Sequence, residues 1–159
     1  MGIDGLELLT PRLRLRPVRG EDFDAWAAFC ADPETMLHLG GVQPRALAFR
    51  SLLAVVGAWH VQGFSFFSVF ERDSGQWVGR VGPWMPEGWP GTEVGYSLAR
   101  PAWGKGYATE AAAACIDWAV DHLVIGAATL EQGAAVFSAI HARLHDGGAS
   151  VRRGERRFH

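Results

Sequence analysis

Lysine is almost missing from this chain: of 15 Lys and Arg residues, Lys105 is the one lysine. Cysteine is scarce as well. Cys30 and Cys115 are the two, far apart and in no CxxC pair, which excludes a disulfide framework or a zinc ribbon. No apolar run approaches the roughly 20 residues that a membrane span requires. The opening MGIDGLELLTPRLRLR has no basic segment followed by an apolar one, so no secretory signal is expected. Internal repeats and low-complexity linkers are absent too. These absences point to a reducing, cytoplasmic location and to no membrane partner.

What remains is the composition of one globular domain. The 159 residues are 48% hydrophobic and 20% charged, enough for a single core. The net charge of −2 is spread unevenly, since residues 149–159 (ASVRRGERRFH) carry four Arg and one Glu. We therefore divide the chain into a domain over 1–148 and a basic tail over 149–159. The acidic body lacks the basic face that phosphate backbones need, so no nucleic-acid partner is expected.

Patterning along the chain reads as alternating elements. Residues 12–17 (RLRLRP) alternate with period two, a half-buried strand. Glu21 and Asp22 open a helix carried by Phe23, Trp26, Ala27 and Cys30. Asp32-Pro33 and Gly40-Gly41 interrupt. Pro44 starts a second helix with the stripe Phe49, Leu52, Leu53, Val56 and Trp59, and Gly63 stops it. Residues 64–70 and 76–81 read as strands joined by a turn at Asp73-Ser74-Gly75. Residues 82–91 read as a loop and 93–98 (EVGYSL) as another strand. From Ala108 to Leu123 apolar residues keep helical spacing for four turns. Consecutive strands joined by tight turns predict an α/β (α+β) domain with a mostly antiparallel sheet covered by helices.

The chemistry concentrates at Arg100-Pro-Ala-Trp103-Gly104-Lys105-Gly106-Tyr107-Ala108-Thr109, between that last strand and helix. A glycine-rich strand-to-helix turn exposes successive backbone N–H groups at the positive end of a helix dipole, which is an anion site. A Walker A loop fails, because Ala99 stands where its first glycine belongs and Gly follows Lys105. The dinucleotide fingerprint fails at its third glycine, where Thr109 stands. Coenzyme A is the remaining common pyrophosphate ligand.

With these residues in view, the chain resembles the GNAT superfamily of acyl-CoA N-acyltransferases. It is most similar to the branch containing ribosomal-protein N-terminal acetyltransferases. The resemblance spans 8–123, carried by TPRLRLRPVRGEDFDAWAAFCADPETM and by GWPGTEVGYSLARPAWGKGYATEAA. It implies a GNAT-type sheet with helices on both faces and acetyl-CoA as co-substrate, with no metal. It implies that the pantetheine arm pairs with the backbone of Tyr96, Ser97 and Leu98, and that an N–H near Leu98 stabilises the oxyanion. The pyrophosphate would lie over Trp103, Gly104, Lys105, Gly106, Tyr107 and Ala108, with Arg100 and Lys105 as positive neighbours. Thr109 either adds a hydroxyl to a phosphate or simply faces solvent in the first turn. Glu93 is the candidate base that strips a proton from the acceptor amine; otherwise it is an exposed strand carboxylate. Met36 and Trp84 either wall the acceptor pocket or form a core lid. The acceptor is a primary amine, of a protein N-terminus or a small molecule.

Past His122 the family pattern gives out. The expected Asn-x-x-Ser helix start is missing, and no Tyr follows to protonate the leaving thiolate. Little chain is left for the last strands, so C-terminal strands are expected to be missing and a homodimer could complete the sheet. A non-catalytic acyl-CoA-binding or partner-dependent module is the alternative. His141 and His145 share a helical face without a third ligand nearby, so no metal site is assigned.

Overall fold

The structure, a computed structural model, describes residues 3–123. Five strands lie in sequence order in one sheet: β1 (Leu8–Leu9), β2 (Leu13–Pro17), β3 (Phe67–Glu71), β4 (Trp77–Trp84) and β5 (Glu93–Leu98). Every neighbouring pair is antiparallel. Four helices accompany them: α1 (Phe23–Ala31), α2 (Pro33–Met36), α3 (Arg45–Gln62) and α4 (Tyr107–His122). The expected loss of C-terminal strands and the basic tail concern residues outside the described ones.

Strand alternation sorts side chains onto two faces. Leu13, Leu15, Phe67, Val69, Val81 and Leu98 point to one, where α4 lays Ala111, Ala112, Cys115 and Ala119 on them. The small side chains of that helical stripe let α4 approach the sheet closely. On the other face α1 and α3 bury Trp26, Phe29, Cys30, Ala48, Leu52 and Val55 with Phe66. Trp59 belongs to α3 but packs in the first cluster, edge-on to Phe67 and against Trp118. Its indole N–H donates to the Phe66 carbonyl at 2.8 Å.

Three readings from the sequence need correction. On α3 the buried positions are Ala48, Leu52, Val55 and Trp59, whereas Phe49 and Leu53 are about half exposed, at 45% and 50%. That helix is apolar around most of its circumference, so spacing alone does not choose the buried stripe. Residues 82–84 continue β4 rather than opening a loop. Pro83 fits there because its only sheet neighbour is Val94 of β5, at a position where β4 needs no N–H; the β3 pairing has already ended at Val81. The Asp32-Pro33 break is a helix start as well. The Asp32 carboxylate accepts the Thr35 N–H at 2.6 Å and caps α2, with Pro33 at its first position.

Asp22 does more than open a helix. Its carboxylate is buried beneath α1 and receives both terminal nitrogens of Arg16, the Arg19 N–H and the Ser68 hydroxyl. With its lone pairs satisfied, the buried ion pair pins β2 and β3 to the start of α1.

Candidate functional site

The chain leaves β5 at Leu98, makes one 3-10 turn over Arg100–Ala102 and enters α4 at Tyr107. Gly104 and Gly106 have φ of +75° and +78°, the left-handed region that costs other residues about 1–2 kcal/mol. Gly106 is the N-cap of α4. The first N–H groups of a helix have no acceptor inside it, and α4 directs them at this turn with its positive dipole end.

Two residues hold the turn from behind. Arg12 donates through Nη1 to the Lys105 carbonyl at 2.7 Å and through Nε to Glu110 at 2.8 Å. Glu110, in the first turn of α4, also accepts the Arg12 N–H and the Thr10 hydroxyl. Burial pushes the Glu110 carboxyl up, but these donors outweigh it and hold the group below its ordinary value. Sequence reading missed both residues. Arg12 looked like a solvent position of an alternating strand, and nothing local in GYATEAA marks Glu110 as its partner.

The two cations assigned to the anion site are engaged with carboxylates. Arg100 lies over the Trp103 ring, and its Nε is 2.6 Å from Glu34. The Lys105 ammonium is 3.8 Å from Glu71, which also accepts the Tyr107 hydroxyl at 2.5 Å. That hydroxyl bond is the chief cause holding Glu71 below its ordinary pKa, and it raises the Tyr107 phenol. An incoming phosphate would compete for both cations. Tyr107 itself is buried, Ala108 packs against the α4 core, and Thr109 stands half-buried in the first turn.

β5 is an edge strand among the described residues. The Ala99 N–H bonds back to Val78 of the neighbouring strand at 2.8 Å. Peptide planarity therefore turns the Leu98 carbonyl to the outer edge, where the Trp103 indole N–H donates to it at 2.7 Å. In extended backbone the N–H of a residue points the same way as its carbonyl, so the Leu98 and Tyr96 N–H groups face outward. Ser97 faces β4, opposite Arg80.

Side chains alternate across the same strand. Val94, Tyr96 and Leu98 face the α4 cluster, which places Glu93, Gly95 and Ser97 on the α1–α3 face. Glu93 opposes Trp84. It is half-buried, and burial alone raises its carboxyl above the ordinary value, with no cationic partner among the described residues. Burial likewise raises the Tyr96 phenol. Trp84 stacks on Phe66 at 5.1 Å. Met36 is a core residue, 2% exposed and packed with α1 and α3; the exposed side chain at that place is Leu37. Among the described residues, no group of three His, Cys, Asp or Glu is arranged to hold a metal, and His141 and His145 lie outside them.

Comparison with known proteins identifies the family and the fold. Residues 12–147 match the family model of the acetyltransferase (GNAT) domain, a stretch running past the point where the sequence motifs give out. The Bacillus subtilis protein YkkB is 30% identical over 137 residues, covering 80% of this chain and 77% of that protein. An acetyltransferase of Agrobacterium tumefaciens has a solved structure similar to this one, with a TM-score of 0.70 at 28% identity. The match covers 88% of this chain and 85% of that chain. A putative ribosomal-protein-serine acetyltransferase from Vibrio cholerae shares the fold, at TM-score 0.60 and 22% identity over 79% of this chain and 72% of that chain.

Proposed function

The chain belongs to the GNAT acetyltransferase family, and from that premise we propose that it transfers the acetyl group of acetyl-CoA to a primary amine. The observation that carries this reading is continuity. The glycine turn at the start of α4 adjoins β5, the edge strand among the described residues, so a phosphate cradle and a row of outward N–H groups lie side by side.

The cradle fits a pyrophosphate: Gly104 and Gly106 remove side chains from its path, and the first N–H groups of α4 meet the charge. Arg100 and Lys105 exchange their carboxylate partners for phosphate oxygens. The pantetheine arm lies along β5 as an added strand, pairing with the outward groups of Tyr96 and Leu98. The Trp103 indole gives up the Leu98 carbonyl as it does so. The Leu98 N–H polarises the thioester carbonyl and stabilises the oxyanion. Glu93, its carboxyl raised by burial and without a cationic partner among the described residues, accepts the proton of the ammonium directly or through water. The freed nitrogen attacks the carbonyl carbon, the C–S bond breaks as the amide forms, and the second proton shed by the nitrogen neutralises the departing coenzyme A thiolate.

The acceptor is a protein N-terminus or a small molecule, met on the Trp84 side of β5. The two cysteines, both free and buried, suit the reducing cytoplasm in which acetyl-CoA is used. A second copy pairing at the β5 edge would displace pantetheine, so dimerisation there and coenzyme binding exclude each other. Calorimetric titration with acetyl-CoA, with ATP and NAD as controls, tests the site. Saturable binding of acetyl-CoA alone supports it. Thiol release with a panel of amines then separates an enzyme from a module that binds acyl-CoA without turning it over.

A further inference from the structure

Arg80, on β4, has no use in that mechanism. Its guanidinium lies over two aromatic rings, 4.7 Å from the centroid of Trp26 and 4.9 Å from that of Phe66. Phe66 also stacks on Trp84 at 5.1 Å. Flat groups thus follow one another under β4 from Trp26 through Arg80 and Phe66 to Trp84, whose cross-strand partner is Glu93. Gly95 makes room for this run, since a Cβ there would sit 3.0 Å from the Phe66 ring.

The Arg80 Nε is closed to solvent and has no hydrogen-bond partner among the described residues. Among the described residues no carboxylate neutralises the cation. Its titratable neighbour is the Cys30 thiol, and burial pulls the guanidinium pKa down. Two more closed-off polar atoms on this face, Thr35 Oγ1 and Gln43 Oε1, also lack partners. The Gln43 N–H donates to the Cys30 carbonyl at 2.8 Å, which ties that loop to the same place. Two aromatic rings lie 4.7 and 4.9 Å from the guanidinium carbon, and its N–H donors lie in the plane of the group. That is the edge-on fork that meets a carboxylate bidentately. A desolvated cation without a counter-charge is unfavourable, and a bound anion relieves it.

We propose that Arg80 binds the carboxylate of the acceptor, which is a linear amine bearing that carboxylate at its far end. The inference rests on the acetyl-transfer reading for the amine end, which lies at Glu93. Arg80 opposes Ser97, and Glu93 stands four residues away along β5, roughly 13 Å between backbone positions, with the Phe66 ring between the guanidinium and Trp84, the partner of Glu93. With that ring between the two ends, an amine and a carboxylate held apart on an ω-amino acid meet the site better than a pair on one carbon.

The test is equilibrium titration of the free protein with linear ω-amino acids of increasing length and with the matching ω-amino amides. It is followed by tryptophan fluorescence and needs no acetyl-CoA. The expected result is binding of a longer acid at least tenfold tighter than its amide, a preference lost in Arg80→Gln. Arg80→Lys keeps the charge without the fork and retains part of the preference; it carries the test if the glutamine variant does not fold. Equal affinity for acid and amide overturns the proposal. So does a preference that survives in Arg80→Gln, the absence of saturable binding, or tighter binding of an acidic peptide. Thiol release is measured in parallel with acetyl-CoA. A carboxylate preference without turnover supports the Arg80 site and removes the acetyl-transfer reading, so the two failures are told apart.

Discussion

Glu93 owes its raised pKa to burial alone, and that decides the sign of its pH dependence. A base must be ionised, so kcat/KM falls as pH drops through a value above the roughly 4.3 of a free glutamate. Glu93→Gln should lower kcat by about a hundredfold or more, leave acetyl-CoA affinity unchanged and flatten the acid limb. An acid limb that persists in the variant removes Glu93 from the role of base. Gly106 tests the cradle in the same way. At φ +78° an alanine is strained by about 1–2 kcal/mol, so Gly106→Ala should lower the thermal midpoint and weaken acetyl-CoA binding measured by calorimetry. Arg80, Arg12 and Glu110 were illegible in the sequence for a common reason. Their meaning lies in partners that are remote along the chain, 98 residues away in the case of Arg12 and Glu110.

Elements were legible where the pattern was unambiguous. β5 and α4 stand where alternation and helical spacing put them, and the glycine turn between them was readable as a unit. α3 was not, because Phe49 and Leu53 are as apolar as the Leu52 and Val55 that are buried. The contact between α4 and the segment before β2 is a tie that no local pattern announces. It makes a prediction of its own. Donors hold Glu110 below its ordinary pKa, so its stabilisation is present above about pH 4.3 and lost as pH falls through the lowered value. Glu110→Gln should cost about 1 kcal/mol near neutrality. In urea unfolding across a pH series, the difference from the wild type should shrink in acid. A gap that stays constant with pH assigns the loss to packing instead.

At the scale of the molecule, two clusters on opposite faces of one sheet meet through Trp59. It sits on α3, 2% exposed, yet packs with Phe67 and Trp118 of the α4 side. Trp59→Ala should cost about 3–5 kcal/mol in urea unfolding, because it opens a cavity and leaves the Phe66 carbonyl without its donor. A loss near 1 kcal/mol would mean the two faces are stabilised independently. Periodicity and turn residues determined by themselves the class of fold and four of the five strands, β1 at Leu8–Leu9 being missed, because these depend on neighbours in the chain. The tertiary structure alone decided which stripe of α3 is buried, that β4 runs on through Pro83, and that the site cations pair with Glu34 and Glu71. It alone set Arg80 against two rings, with no counter-charge among the described residues. Burial and pairing are properties of surfaces brought together from distant parts of the chain, and local spacing does not encode them.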